Sequence, residues 1–138
     1  MRYLLTSLLC VLLISCNKYE DGPAFSLIRA EVRLCGEWEV VSINPDPLWD
    51  WFDIGVIWKF DQNGYFRFSS TFQETIVHGE WEFESNKEDL EINLNENEWG
   101  WVFGSLYPSG LYKINGLTNK QLLILNELGT ELKLKKID

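Results

Sequence analysis

Apolar and polar positions alternate in short runs from residue 37 to the C-terminus. Residues 37–43 place Trp38 and Val40 on one face and Glu37 and Glu39 on the other. Residues 56–61 set Val56, Trp58 and Phe60 against Lys59 and Asp61, and residues 65–72 align Phe66, Phe68 and Phe72. The cleanest run is 75–84, where Val77, Trp81 and Phe83 oppose His78, Glu80, Glu82 and Glu84. Leu90, Ile92 and Leu94 then alternate with Glu91 and Asn93, and Leu132 and Leu134 with Lys133 and Lys135. A period of two is the signature of a strand with one face buried. Further strands are expected over 101–107, 111–115 and 121–125.

Turn chemistry separates these runs. Asn63-Gly64 accepts positive φ cheaply and closes a hairpin. Residues 86–89, 108–110, 116–120 and 126–130 are polar or Gly/Pro-bearing breaks. One helix is expected over 24–34, with Ser26 as its cap and Leu27, Ile28 and Val32 as its apolar side. It is short and needs a surface to pack on. Eight or nine antiparallel strands, with turns at about ten-residue intervals, describe a sandwich or barrel. No βαβ rhythm is present, which argues against a nucleotide-binding α/β fold.

The N-terminus follows another pattern. Residues 4–14 are almost wholly apolar after Arg2, a run shorter than the about 20 residues a spanning helix needs. It has the form of a secretory signal. Leu13-Ile14-Ser15-Cys16 resembles the lipobox of bacterial lipoproteins, which implies cleavage before Cys16 and acyl chains, palmitate among them, on that residue. The resulting division is a signal peptide over 1–15, a lipidated tether over 16–26 and one domain over 27–138. Lys18-Tyr19-Glu20-Asp21 looks like the short signal that exports some lipoproteins to the cell surface. The expected location is therefore the outer membrane, facing the periplasm or, by that signal, the outside.

Charge and composition narrow the function classes. The 138-residue chain carries a formal charge of −9, and loss of residues 1–15 removes one Arg and no acid. An acidic surface disfavours nucleic acid and anionic lipid as partners. Of three Cys, Cys10 leaves with the signal and Cys16 is acylated, so Cys35 stands alone and no disulfide framework exists. One His and no Cys pair build no His- or Cys-based metal site. No nucleophile–base pair is readable, so a binding protein without cofactor is expected, and not an enzyme. Seven Trp, eight Phe and five Tyr supply unusually large side chains for burial.

Gly36-Glu37-Trp38, placed after a short helix and opening an all-β meander, resembles the lipocalin and calycin group. Trp58-Lys59-Phe60-Asp61, Gly79-Glu80-Trp81-Glu82-Phe83 and Glu131-Leu132-Lys133-Leu134 extend the likeness. With Cys16, the chain looks like the small lipocalin-like lipoproteins of Gram-negative bacteria. The resemblance implies an up-and-down meander closing into an eight- or nine-stranded barrel. It also implies that Trp38 closes one end against a basic residue of the last strand, Lys133 or Lys135. Where ligands are known in the group, they are small and apolar.

Two aromatic clusters are the candidate ligand site. Trp49, Trp51 and Phe52 lie among Pro45, Pro47 and three Asp on the first inter-strand loop, as a lid over a ligand or a plug for the chain's own barrel. Trp99 and Trp101 are two apart and share a strand face, as a ligand platform or as core. Asp46, Asp50 and Asp53 lack the Gly and terminal Glu of a calcium loop. The leading expectation is a membrane-anchored, monomeric protein holding a small apolar or amphipathic ligand in or at the mouth of the barrel. The other is an envelope interaction module for protein or glycan, with a self-filled barrel.

Overall fold

A computed structural model describes residues 29–45, 55–71, 75–95 and 108–137. Its strands are β1 (Gly36–Asn44), β2 (Val56–Phe60), β3 (Tyr65–Ser70), β4 (Thr75–Glu84), β5 (Asp89–Leu94), β6 (Gly110–Leu117), β7 (Gln121–Asn126) and β8 (Glu131–Lys136). Each pairs antiparallel with the next, and β8 returns to β1, so the sheet closes into an eight-stranded barrel. The expected meander is therefore present, with eight strands in the closed barrel among the described residues. The strand expected over 101–107 lies outside the described residues.

The alternation sets the wall. Trp38, Val40, Val56, Trp58, Phe60, Phe66, Phe68, Val77, Trp81, Leu90, Ile92, Tyr112, Ile114, Leu122, Ile124, Leu132 and Leu134 all point inward and are buried. Two irregularities adjust the parity. The β1–β8 ladder slips between Val40 and Ser42, which returns Ile43 to the inner face. The β6–β7 ladder slips between Ile114 and Gly116 and does the same for Leu117. Such bulges bend a strand and raise its twist, as closure of a small barrel requires. Gly79 marks the tightest approach in the wall. A Cβ there would run into the Asn93 carbonyl and come within 2.9 Å of the Leu94 Cα.

The described helix, α1 (Ala30–Leu34), begins after Arg29, and Val32, expected on its apolar side, is not on its buried face; Ser26, Leu27 and Ile28 lie outside the described residues. Arg29 precedes it in an extended conformation, with ψ 147°, so the helix does not run back through it. Ala30, Arg33 and Leu34 face the barrel, whereas Val32 projects into solvent. Over five residues, the one-turn spacing from 30 to 33 and 34 decides the buried face. Val32, predicted apolar-side, falls opposite it.

Antiparallel connectivity gives the barrel two distinct ends. Gly36 opens β1 opposite Phe60 at the end of β2, and Trp38 lies opposite Lys136 at the end of β8. Helix α1 and the turns after β2, β4 and β6 belong to this helix end. The connections after β1, β3, β5 and β7 belong to the other, called the mouth below. Within the mouth connections, residues 46–54, 72–74 and 96–107 lie outside the described residues.

Candidate functional site

The helix end is tied shut by buried polar contacts. Trp38 donates its indole N–H to the Leu34 carbonyl at 2.6 Å. Lys136 lies over the Trp38 ring, with Nζ 5.1 Å from the centroid, and donates to the Arg33 carbonyl at 2.8 Å. Arg33 in turn donates to the Leu117 carbonyl at 2.7 Å, which joins the helix to β6. Gly36 makes room for this seam: its φ is +131°, and a Cβ would sit 2.6 Å from the Lys136 stem. Trp81, across the barrel, donates to the Asp61 carbonyl at 2.9 Å and so fastens β4 to the β2–β3 turn. Lys87 pairs with Glu31 and links the β4–β5 turn to the helix.

Trp38 thus lies at the helix end beneath Lys136, with Gly36 against the Lys136 stem. The basic residue over the ring is neither of the two expected. Lys133 and Lys135 face outward, and Lys136 fills the role. Leu132, Leu134 and Lys136 share one parity along β8, so inward alternation delivers Lys136 to the ring. Burial pulls its ammonium below the ordinary lysine value. Burial also pushes the nearby Cys35 thiol up, while the Lys87 bond holds the Glu31 carboxyl down.

Between the ends lies an aromatic plug. Trp58 meets Phe66 at 5.6 Å and Phe60 at 6.3 Å, and Phe60 meets Trp81 at 5.8 Å. Tyr112 reaches across from β6 to place its ring 5.8 Å from Trp58. Strands β2 and β6 stand on opposite walls of an eight-stranded barrel, so this contact spans the lumen. A hollow barrel leaves its inward side chains an accessible inner surface. Here Trp58, Phe68, Ile92, Ile124 and Leu132 keep 1% or less. The lumen is therefore filled at the level of these residues, which is the capacity expected of an eight-strand barrel. Burial raises the Tyr112 phenol well above its ordinary value.

Towards the mouth the described inward side chains become aliphatic or small. Ile43 and Leu132, Val56 and Ser70, Val77, Leu94 and Pro108 are the described buried residues there. Outside the lumen at the same end, Ile76 and Leu128 project into solvent, 57% and 90% exposed. No described Asp, Glu or His is buried in the lumen. His78 sits on the outer face opposite Arg67, its ring 5.6 Å from that of Tyr65. Glu82, Glu84 and Glu91 bring their carboxylates within 4.8 Å of one another on the outer wall. They are solvated acids of adjacent strands, with no inward component.

Trp49, Trp51, Phe52, Trp99 and Trp101 lie outside the described residues, as do Cys16 and Asp46, Asp50 and Asp53. The described strand ends on either side of each stretch, Asn44 and Val56, and Leu94 and Gly110, lie at the mouth. Sequence reasoning missed one feature inside the wall. The Trp58 indole N–H is buried and has no hydrogen-bond partner. Nothing in the alternation of 56–60 distinguishes it from Trp38 or Trp81.

No protein-family profile matches the chain, and no curated protein matches it by sequence. Solved structures do. A lipocalin-like protein from Bacteroides uniformis is 16% identical, with a TM-score of 0.61 over 76% of this chain and 99% of its own. A DUF4847-family protein from Bacteroides vulgatus is 18% identical, with a TM-score of 0.54 over 78% and 98%. An uncharacterized protein from Bacteroides eggerthii is 15% identical, with a TM-score of 0.52 over 75% and 99%. At these identities the likeness shows the fold: this chain is a lipocalin-like barrel.

Proposed function

We propose that the protein is a membrane-anchored lipoprotein that binds a small apolar or amphipathic ligand at the mouth of its barrel, without catalysing a reaction. The observation that carries this reading is the gradient of inward side chains. Aromatic rings and buried hydrogen bonds fill the helix end, while Val56, Ser70, Val77 and Leu94 line the other. Ligand sites are concave, mostly apolar and marked by few polar groups, and the mouth has that composition. In sequence, Trp49, Trp51 and Phe52 fall between β1 and β2, and Trp99 and Trp101 between β5 and β6, whose described ends open there. Acyl chains on Cys16 would hold the domain at the outer membrane, and Lys18-Tyr19-Glu20-Asp21 supports its cell-surface face.

A thermal-shift and native mass-spectrometry screen of the mature chain tests the ligand. Fatty acids, bile-acid-like amphiphiles and glycans are the panel. At least one amphiphile is expected to raise Tm, and Trp49→Ala or Trp101→Ala to remove the shift. If nothing in the panel shifts the melt, the reading is lost. For the anchor, Cys16→Ser is expected to move the protein out of the membrane fraction and to abolish palmitate labelling.

The packed lumen favours a second reading, an envelope interaction module that meets a protein or glycan through its rim. Ile76 and Leu128, exposed at that end, support it. Capture of a defined partner that Leu128→Asp abolishes, with no small ligand detected, would select it.

A further inference from the structure

We infer that the Trp58 indole N–H is the polar anchor of the ligand site, and that it receives a neutral hydrogen-bond acceptor, such as a ketone or ester carbonyl, on an otherwise apolar molecule. The inference rests on the ligand-binding reading above and deepens it.

The three described inward-facing tryptophans differ in one respect. Trp38 and Trp81 each give their N–H to a backbone carbonyl, at 2.6 and 2.9 Å. Trp58 is as deeply buried as Trp38, and its Nε1 has no partner. Buried indole donors are ordinarily paired, because an unpaired one forfeits its bond to water without replacement. A phenylalanine at 58 would keep a ring in the plug and carry no such penalty. An unpaired polar group held in a core is a place to look for function.

Position supports the assignment. Trp58 is the mouthward member of the plug on β2, since Phe60 and Phe66 lie one rung nearer the helix. The next rung towards the mouth is Val56 opposite Ser70. Trp58's own rung continues through Phe68 to the smaller Val77. A ligand entering from the mouth passes Val56 and Ser70 and then reaches the rung of Trp58, Phe68 and Val77, where displacement of side chains would admit its head to the Trp58 donor.

Chemistry selects the head group. A single neutral donor satisfies one acceptor. A carboxylate needs more, because burying an unpaired charge is far costlier than burying a carbonyl. The buried cation of the described chain is Arg33, and with Lys136 it belongs to the helix seam. Lys59 and Lys133 face outward. A neutral carbonyl thus fits where an acid does not.

The test uses the mature, 15N-labelled chain and three probes of equal chain length: 2-dodecanone, dodecane and dodecanoate. In the free protein, the Trp58 indole resonance should lie upfield of those of Trp38 and Trp81. With 2-dodecanone it should move downfield, and the ketone should bind more tightly than the other two. Trp58→Phe should weaken ketone binding about three- to tenfold, the worth of one hydrogen bond, and leave dodecane unchanged. Ketone binding without movement of the Trp58 resonance would overturn the inference and leave a ligand site standing. Tighter binding of dodecanoate would overturn the neutral-acceptor assignment. No binding by any probe would sink both this inference and the reading it rests on. Should Trp58→Phe misfold, the resonance in the unaltered chain still decides.

Discussion

The two ends of this barrel are built on opposite principles. At the helix end, the indoles of Trp38 and Trp81, the Arg33 guanidinium and the Lys136 ammonium each reach a backbone carbonyl. The sites where chain segments meet are locked by directional bonds as well as by rings. At the mouth, the described inward residues are aliphatic or small, and the described indole donor nearest to them, that of Trp58, is unpaired. Directional bonds and large rings fix one geometry, whereas small aliphatic side chains accept alternatives at modest cost. The contrast teaches that one short sheet holds a half built to fix a single geometry and a half, the one proposed for recognition, whose side chains can adapt.

Matched truncations give the largest contrast. Trp38→Ala should cost about 3–5 kcal/mol, with the lost ring leaving both a cavity and an unpaired Leu34 carbonyl. Val56→Ala, equally buried, should cost about 1–3 kcal/mol. Urea midpoints at constant m-value read the difference, and equal losses would erase the asymmetry. A subtler pair keeps a ring in place. Trp38→Phe strips an acceptor of its donor and should destabilise by about 1–3 kcal/mol more than Trp58→Phe, which strips none. Differential calorimetry on both variants checks the order, and a costlier Trp58→Phe would mean that its N–H is paired after all.

The smallest effect concerns the clasp between Lys87 and Glu31. That bond holds the Glu31 carboxyl below its ordinary 4.5. The folded form therefore binds its proton less readily than the unfolded chain does. The stabilisation is full above 4.5 and disappears as pH falls through the depressed folded value. Both groups are partly exposed, so Glu31→Gln should cost under about 1 kcal/mol at pH 7. The gap from the unaltered chain should close in acid. A gap that persists at pH 3 would assign the effect to packing.

Much of the wall was legible because period-two alternation is imposed by the pleat itself. Thr75–Glu84 reads directly from Val77, Trp81 and Phe83 against its glutamates, and its partner strands follow the same rule. Lys136 continues the parity of Leu132 and Leu134, so the alternation carried its position, yet the expected partners were Lys133 and Lys135, which that same parity turns outward. The slips beside Val41 and Asn115 were not, because a bulge is decided by the closing geometry of the whole barrel and not by local propensity. Val32 misled for a different reason: in a five-residue helix one apolar residue does not define a face. The state of the Trp58 donor depends on what stands across the lumen. No local pattern carries that information.

Pairing of β1 with β8 has a further effect on the company this domain can keep. An open sheet offers a row of free amides and carbonyls, and partners commonly exploit such a row by adding a strand of their own. Among the described residues the ring of ladders is complete, so there is no strand for a guest peptide to extend. Neighbouring copies would find no template among these strands for edge-to-edge stacking. Whatever docks on this molecule must recognise it by side chains, and a mutation that unzipped β1 from β8 would create an edge for self-association.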